Sequence, residues 1–309
     1  GLKVLSVLLS FVLLFSLAIP AMAADLQTPF DDSQFYHQGD YSIHYRVIEP
    51  EGESKGNILF LHGFFYSGES FKPMADLMSD AGYTCVLVDL PNFGYSTREN
   101  ADTELIPRET LVEGLMEELA PGEGWIVAGQ SMGGGVALNI ACDKPESVQA
   151  LLLYAPTPIN AVSDGMKNLM TSDFMGGMLS VMLKIAVRLT CLVRLMMYMA
   201  TMDWDYSMQY DLSTLIDPLT VDGSGLGMMY MAANARPTDY AALAELKMPI
   251  LLVRGDKDLV VSGSMSAEMD QALASAEKVT VEGAGHMLNE THAAMLSEQA
   301  LAFLAENVG

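Results

Sequence analysis

Short runs rich in Val, Ile and Leu recur along this chain, and stretches of helical character separate them. YSIHYRVIE (41–49), NILFLHG (57–63), TCVLVDL (84–90), WIVAGQ (125–130) and ALLLYAP (150–156) come first, and ILLVRGD (250–256) and KVTVEGA (278–284) follow much later. Runs that are apolar at nearly every position are expected of strands covered on both faces. Between them, residues 70–81, 107–119, 131–142, 265–275 and 291–306 read as helices. This alternation predicts an α/β fold with a mainly parallel sheet flanked by helices. Functional groups in such sheets gather at the carboxyl ends of strands. His62, Asp89, Ser131, Asp258 and His286 all fall just after one of these runs.

One stretch interrupts the alternation. Residues 157–240 contain no convincing strand, yet they hold 13 of the 23 methionines. This segment is expected to form a helical cap (lid) inserted into a core made of residues 25–156 and 241–309. Within it, Met178 to Ala200 is long and apolar enough to suggest a membrane span. Lys184, Arg188 and Arg194 sit inside that run, and each costs about 2.5–3.5 kcal/mol at mid-bilayer. At about 100° per residue they share one helical stripe with Ser180 and Cys191, as an amphipathic lid would place them. The methionines either fill a small core under the lid or line an apolar substrate.

The remaining signals bound the chemistry. With 16 Lys and Arg against 39 Asp and Glu, the net charge of −23 argues against a nucleic-acid partner, whose phosphates need cations. Residues 1–24 read as a signal peptide: Lys3, the apolar run Val4 to Ile19, then AMAAD, with cleavage after Ala23 or Ala24. Export to a periplasm or to the medium follows from that reading. The alternative is an uncleaved tether, for which the run is rather short against a span of about 20 residues. No cysteine stands near the cleavage site, so a lipid-modified amino terminus is not expected. Cys85, Cys142 and Cys191 form no C-x-x-C pair and are expected to be buried free thiols. The histidines at 37, 44, 62, 286 and 292 lack metal-site spacing, and no metal or cofactor is implied.

GQSMG (129–133) places a serine between glycines where a strand gives way to a helix. A nucleophile needs such a setting, because its oxygen must project from a turn too sharp for bulky neighbours. A serine hydroxyl is a poor nucleophile at neutral pH and requires a base, and the base requires an orienting acid. GAGHMLNE offers His286 after the last apolar run, while His292 is expected on the surface of the following helix. LLVRGDKDLVV offers Asp256 and Asp258 as the acid.

Together LHGFFYSGESF, VLVDLPNFGYS, GQSMGGGVAL, LLVRGDKDLV and GAGHML resemble the α/β-hydrolase superfamily, in particular its lidded serine esterases and monoacylglycerol-lipase-like hydrolases. The resemblance covers about 41–156 and 241–309. It implies Ser131 as nucleophile, His286 as base and, through a G-x-x-D match, Asp258 rather than Asp256 as acid. It also implies an oxyanion hole from the backbone N–H groups of Phe64 and Met132, and a purely structural role for His62. The loop 89–96 departs from the family's D-x-x-G-x-G-x-S by placing Asn92 where glycine is usual, and asparagine tolerates a left-handed backbone. No aspartate occupies the elbow, which disfavours dehalogenase and epoxide-hydrolase chemistry. The expected substrate is a small apolar ester, with transient lipid-interface contact through the cap. C–C, thioester or lactone hydrolysis and perhydrolysis remain open to the same residues.

Overall fold

A computed structural model of the chain describes residues 29–308, and the signal-like segment 1–24 lies outside them. Strands β1 (Gln34–Gln38), β2 (Tyr41–Ile48), β3 (Asn57–Leu61), β4 (Thr84–Val88), β5 (Trp125–Gln130), β6 (Val148–Tyr154), β7 (Ile250–Gly255) and β8 (Glu277–Val281) form one 8-stranded sheet. Its order is β1-β2-β4-β3-β5-β6-β7-β8. β2 runs antiparallel to both β1 and β4, and the other pairings are parallel. The mainly parallel sheet flanked by helices is therefore present.

The pleat explains why the strands read as continuous apolar runs. Leu59 and Leu61 face one core layer while Ile58 and Phe60 face the other, and Leu151 and Leu153 alternate with Leu152 and Tyr154 in the same way. All of these are fully or almost fully buried, and each such side chain contributes about 1.5–3 kcal/mol of transfer free energy. β1 was not foreshadowed by this pattern. Its sequence QFYHQ lies at the sheet edge and buries only Tyr36, so it carries no apolar run.

The helices between the core strands sit close to their expected positions. Arg108–Leu119, Met132–Asp143 and Gly263–Ala272 answer to single segments. The segment at 70–81 begins as a 3-10 turn, Gly68–Phe71, before the helix Lys72–Asp80. The last segment, 291–306, answers to the helix Ala293–Asn307, and a short helix Leu288–Thr291 precedes it. His292 occupies the break between them, half-buried and paired with the Thr291 hydroxyl at 2.8 Å, rather than on a helix surface.

Between β6 and β7 the regular elements are all helices, with Asp173–Ala186, Thr190–Thr201, Trp204–Gln209, Ser213–Thr220 and Ser224–Ala233 as the main ones. Asp173–Ala186 and Ser224–Ala233 approach closely because Gly176 faces Leu226 and Gly225 faces Ser180, leaving no room for a Cβ at either glycine. The single basic stripe expected across 178–200 is not formed. The first helix tightens at Arg188 and Leu189, whose N–H groups bond Ile185 and Ala186, and Leu189 then leaves the helical backbone at φ −90 and ψ 70. Arg194 consequently turns inward and donates to the carbonyls of Ser207 and Tyr210 at 2.7 and 3.3 Å. Lys184 faces Asp222 at 3.4 Å. Among the described residues no single helix is long and apolar enough to cross a membrane.

The methionines between β6 and β7 span every degree of burial, and Met170, Met175 and Met178 are half-buried. Met197, Met228 and Met231 are buried, whereas Met166, Met196, Met199 and Met208 are exposed. The cysteines also divide: all three are free, but only Cys85 is buried, with Cys142 half-buried and Cys191 exposed. Cys191 lies on the outer side of a helix that the apolar sequence alone would place inside.

Candidate active site

Ser131 stands between β5 and the helix Met132–Asp143 with φ 51 and ψ −116. A non-glycine residue held there is strained, and such strain persists only where the surroundings enforce it. They do so here. The Ser131 N–H extends the pairing with β6 by donating to Tyr154 O, and its carbonyl accepts from Gly135 and Thr157. Gly133 packs so close to the Leu61 and His62 carbonyls that a Cβ could not be accommodated, which is the physical reason for glycine two residues after the serine.

His286 follows β8 and Asp258 follows β7, and the sheet order brings both to Ser131. His286 Nε2 lies 2.8 Å from Ser131 Oγ, and its Nδ1 lies 2.8 Å from Asp258 Oδ2. The side chains of His286 and Asp258 are almost fully buried. Asp258 Oδ1 accepts from the N–H groups of Val260 and Val261 at 2.8 and 2.9 Å. Burial alone would raise the Asp258 pKa, but the His286 hydrogen bond and charge and these two N–H donors outweigh it and hold the carboxyl below its ordinary value. Asp256 points elsewhere: it is exposed and accepts from the Gly283 N–H at 2.7 Å, closing the turn before His286.

The N–H groups of Phe64 and Met132 donate to no protein acceptor among the described residues. Phe64 precedes Phe65, which is held at φ 71, and its ring packs on Phe65 and Phe93. Gly63 sits against the Gln130 side chain and Ser131 Cβ, so this loop lies alongside the elbow. His62 donates from Nδ1 to Gly63 O and accepts at Nε2 from the Leu90 N–H. Burial lowers its pKa, so it is neutral and fully engaged as a loop brace. Asn92 adopts φ 76, the left-handed backbone expected of it, and its side chain bonds Glu99 twice at 2.7 Å.

Four features of the site were not read from the sequence. The Thr157 hydroxyl lies 3.0 Å from Ser131 Oγ. Gln130 donates from Nε2 to the His286 carbonyl at 3.0 Å. The helix Thr190–Thr201 ends on the His286 loop, where Ala200 O accepts from His286 and Met287 at 2.6 and 3.0 Å and Thr201 O accepts from Gly285 at 3.2 Å. Glu290, just beyond, is buried and accepts from the Tyr206 and Tyr210 hydroxyls. A positional signal existed for Thr157, which follows β6 at the same sheet end. None existed for the backbone acceptors, because carbonyls carry no sequence identity.

Residues 58–299 match the model of the family described as "Alpha/beta hydrolase family". The chain belongs to that family. Over 152 residues it is 34% identical to the dihydrolipoyllysine-residue acetyltransferase component of the acetoin cleaving system of Cupriavidus necator, covering 46% of this chain and 39% of that protein. The chain thus spans well under half of that relative's length. It is 26% identical over 255 residues to a pimeloyl-[acyl-carrier protein] methyl ester esterase of Klebsiella pneumoniae, covering 81% of this chain and 94% of the relative. Among solved structures, the epoxide hydrolase CorEH without ligand superposes with a TM-score of 0.67 at 20% identity, covering 89% of this chain and 98% of that one. That likeness is one of fold.

Proposed function

We propose that the protein is an exported serine hydrolase that cleaves carboxylic esters bearing an apolar acyl group through an acyl-enzyme. The observation that carries this reading is the unbroken run from Ser131 Oγ through His286 to the Asp258 carboxylate, with 2.8 Å at each link. Ser131 Oγ forms a bond to the acyl carbon while its proton passes to His286 Nε2. The carbonyl oxygen takes up the displaced electron pair and faces the N–H groups of Phe64 and Met132. Fixed donors there act on charge that exists only in the transition state, and loss of one costs about 3 kcal/mol where measured. Collapse breaks the bond to the leaving oxygen, which departs as the alcohol with the proton from His286. Water then gives a proton to His286 and attacks the acyl carbon. Collapse frees the acid, and the proton returns to Ser131 Oγ. Asp258 holds the imidazole in place and stabilises it when charged.

An ester is favoured as substrate by the Klebsiella relative, a methyl ester esterase aligned over most of both chains. C–C, thioester or lactone hydrolysis and perhydrolysis would use the same three residues, and turnover of p-nitrophenyl esters discriminates against them. A non-catalytic binding role is disfavoured because none of the three positions is lost or left without its partner. The helices between β6 and β7 serve as the cap, and their exposed Phe174, Val181, Met199 and Trp204 meet a lipid interface transiently. Export rests on the basic, apolar and A-x-A pattern of residues 1–24, and the mass of the mature chain reports whether they are removed.

The deciding experiment is labelling with a fluorophosphonate. One site should be modified, peptide mapping should locate it at Ser131, and Ser131→Ala should abolish it. Modification of a different serine that persists in Ser131→Ala overturns the assignment.

A further inference from the structure

Ser131 Oγ has two hydrogen-bond neighbours, His286 Nε2 at 2.8 Å and Thr157 Oγ1 at 3.0 Å. The direction of each bond follows from counting protons. The Asp258 carboxylate only accepts, and it already takes two backbone N–H groups on Oδ1. Its Oδ2 therefore receives a proton from His286 Nδ1, which leaves Nε2 of the neutral ring as an acceptor. Ser131 owns one proton and gives it to Nε2. Its oxygen can then only accept from Thr157. The chain of donors thus runs from Thr157 to Ser131 to His286 to Asp258, and the serine sits one step inside it.

The backbone holds Thr157 to that task. Its N–H donates to the Ser131 carbonyl at 3.1 Å, so backbone and side chain of one residue both reach the other. The approach is set by Ala155, which turns the chain at φ 45 while its N–H stays bonded to Val253 O on the neighbouring strand. On the other side the Thr157 carbonyl lies against Gly135 of the elbow helix. Thr157 itself is half-buried, so its hydroxyl is fixed without sealing the serine.

We propose that Thr157 is a further catalytic residue of this site, a hydroxyl donor that contacts the nucleophilic oxygen itself. It occupies one lone pair of Ser131 Oγ and leaves the other for the acyl carbon, which fixes the direction of attack. As the serine proton moves to His286, negative charge grows on Oγ, and a donor already in place strengthens its bond at that moment. This role rests on Ser131 being the nucleophile.

The test measures the second-order rate constant for fluorophosphonate modification of Ser131 in the full-length protein, across pH. Thr157→Val keeps the shape and the backbone N–H but removes the hydroxyl, and modification should slow by about tenfold, as for loss of one hydrogen bond to a charged group. Thr157→Ser should stay within about twofold of the parent, since hydroxyl strength is unchanged. Thr157→Ala provides the same reading if the valine variant melts early. The slowing should lower the plateau of the pH profile and leave its midpoint, because Thr157 does not touch the imidazole. Thr157→Val reacting as fast as the parent overturns the proposal. So does Thr157→Ser slowing as much as Thr157→Val, which would show that any change of side chain here disturbs the elbow and that the hydroxyl has no separate role. A parent protein that is not modified at Ser131 defeats the nucleophile assignment itself, and the two failures are therefore distinct.

Discussion

The Tyr206 hydroxyl donates to Oε2 of Glu290 at 3.1 Å and so joins the helix Trp204–Gln209 to the segment just after His286. Tyr210 adds a second bond to Oε1 at 3.2 Å. Among the described residues no cation pairs with this carboxyl. Burial raises its pKa, the two phenol donors offset part of that rise, and the value is pushed up to about 7 from 4.5. A raised carboxyl favours the fold most where it is protonated. Its contribution is complete below about pH 4.5 and is lost as pH climbs through 7.

Glu290→Gln should remove that loss, because the amide stays neutral throughout. The variant should gain on the parent from pH 4.5 to pH 8 by an amount approaching about 3 kcal/mol, the equivalent of the full shift. Denaturant unfolding of both proteins across that range measures the difference. A difference that stays flat with pH would mean that Glu290 titrates as an ordinary carboxyl.

Asp258 and Asp256 stand two residues apart but hold different partners. Asp258 bonds His286, and Asp256 bonds the Gly283 N–H. Asp258→Asn should lower kcat by about 10⁴, since an amide in that place favours the wrong histidine tautomer. Asp256→Asn keeps an oxygen able to accept from Gly283 and should cost less than tenfold, in line with one neutral hydrogen bond. Steady-state turnover of one ester by both variants gives the ranking. The reverse order would transfer the acid to Asp256.

What the sequence made legible follows from what its residues encode. Strands buried on both faces write themselves as apolar runs, so β3 through β7 could be read directly. β2 and the edge strand β8 were legible from alternating Tyr, Ile and Val residues, and Ser131, Asp258 and His286 follow β5, β7 and β8. β1 could not be read, because QFYHQ has neither an apolar run nor the Val and Thr alternation that marks KVTV at the other edge of the sheet. The grouping of Ser131, Asp258 and His286 was foreseeable because strand ends meet on one side of a parallel sheet. The support for His286 was not, because Ala200 and Thr201 hold its loop through carbonyls that every residue possesses. The break at Leu189 was also hidden. Hydropathy continues smoothly across it, and only the partners of Arg194 reveal that the basic positions face different ways.

The proposed cap carries the last expectation. Its helix Thr190–Thr201 buries Val193 and Met197, and its final turn is bonded to the loop of His286. Apolar side chains of this segment are thus tied to the residue proposed to move the proton. A substrate whose acyl chain enters between cap and sheet would lose water-exposed area with each added carbon. Every methylene that becomes buried contributes up to about 0.8 kcal/mol, close to a fourfold gain in kcat/KM, until the space is filled. Across p-nitrophenyl esters the specificity constant should therefore rise from acetyl to medium-chain acyl groups and then level off. A steady fall from acetyl onward would show that the methionines of the cap only pack against one another. Ser131, His286 and Asp258 would keep their proposed roles in that case, and the substrate would be a short-chain ester.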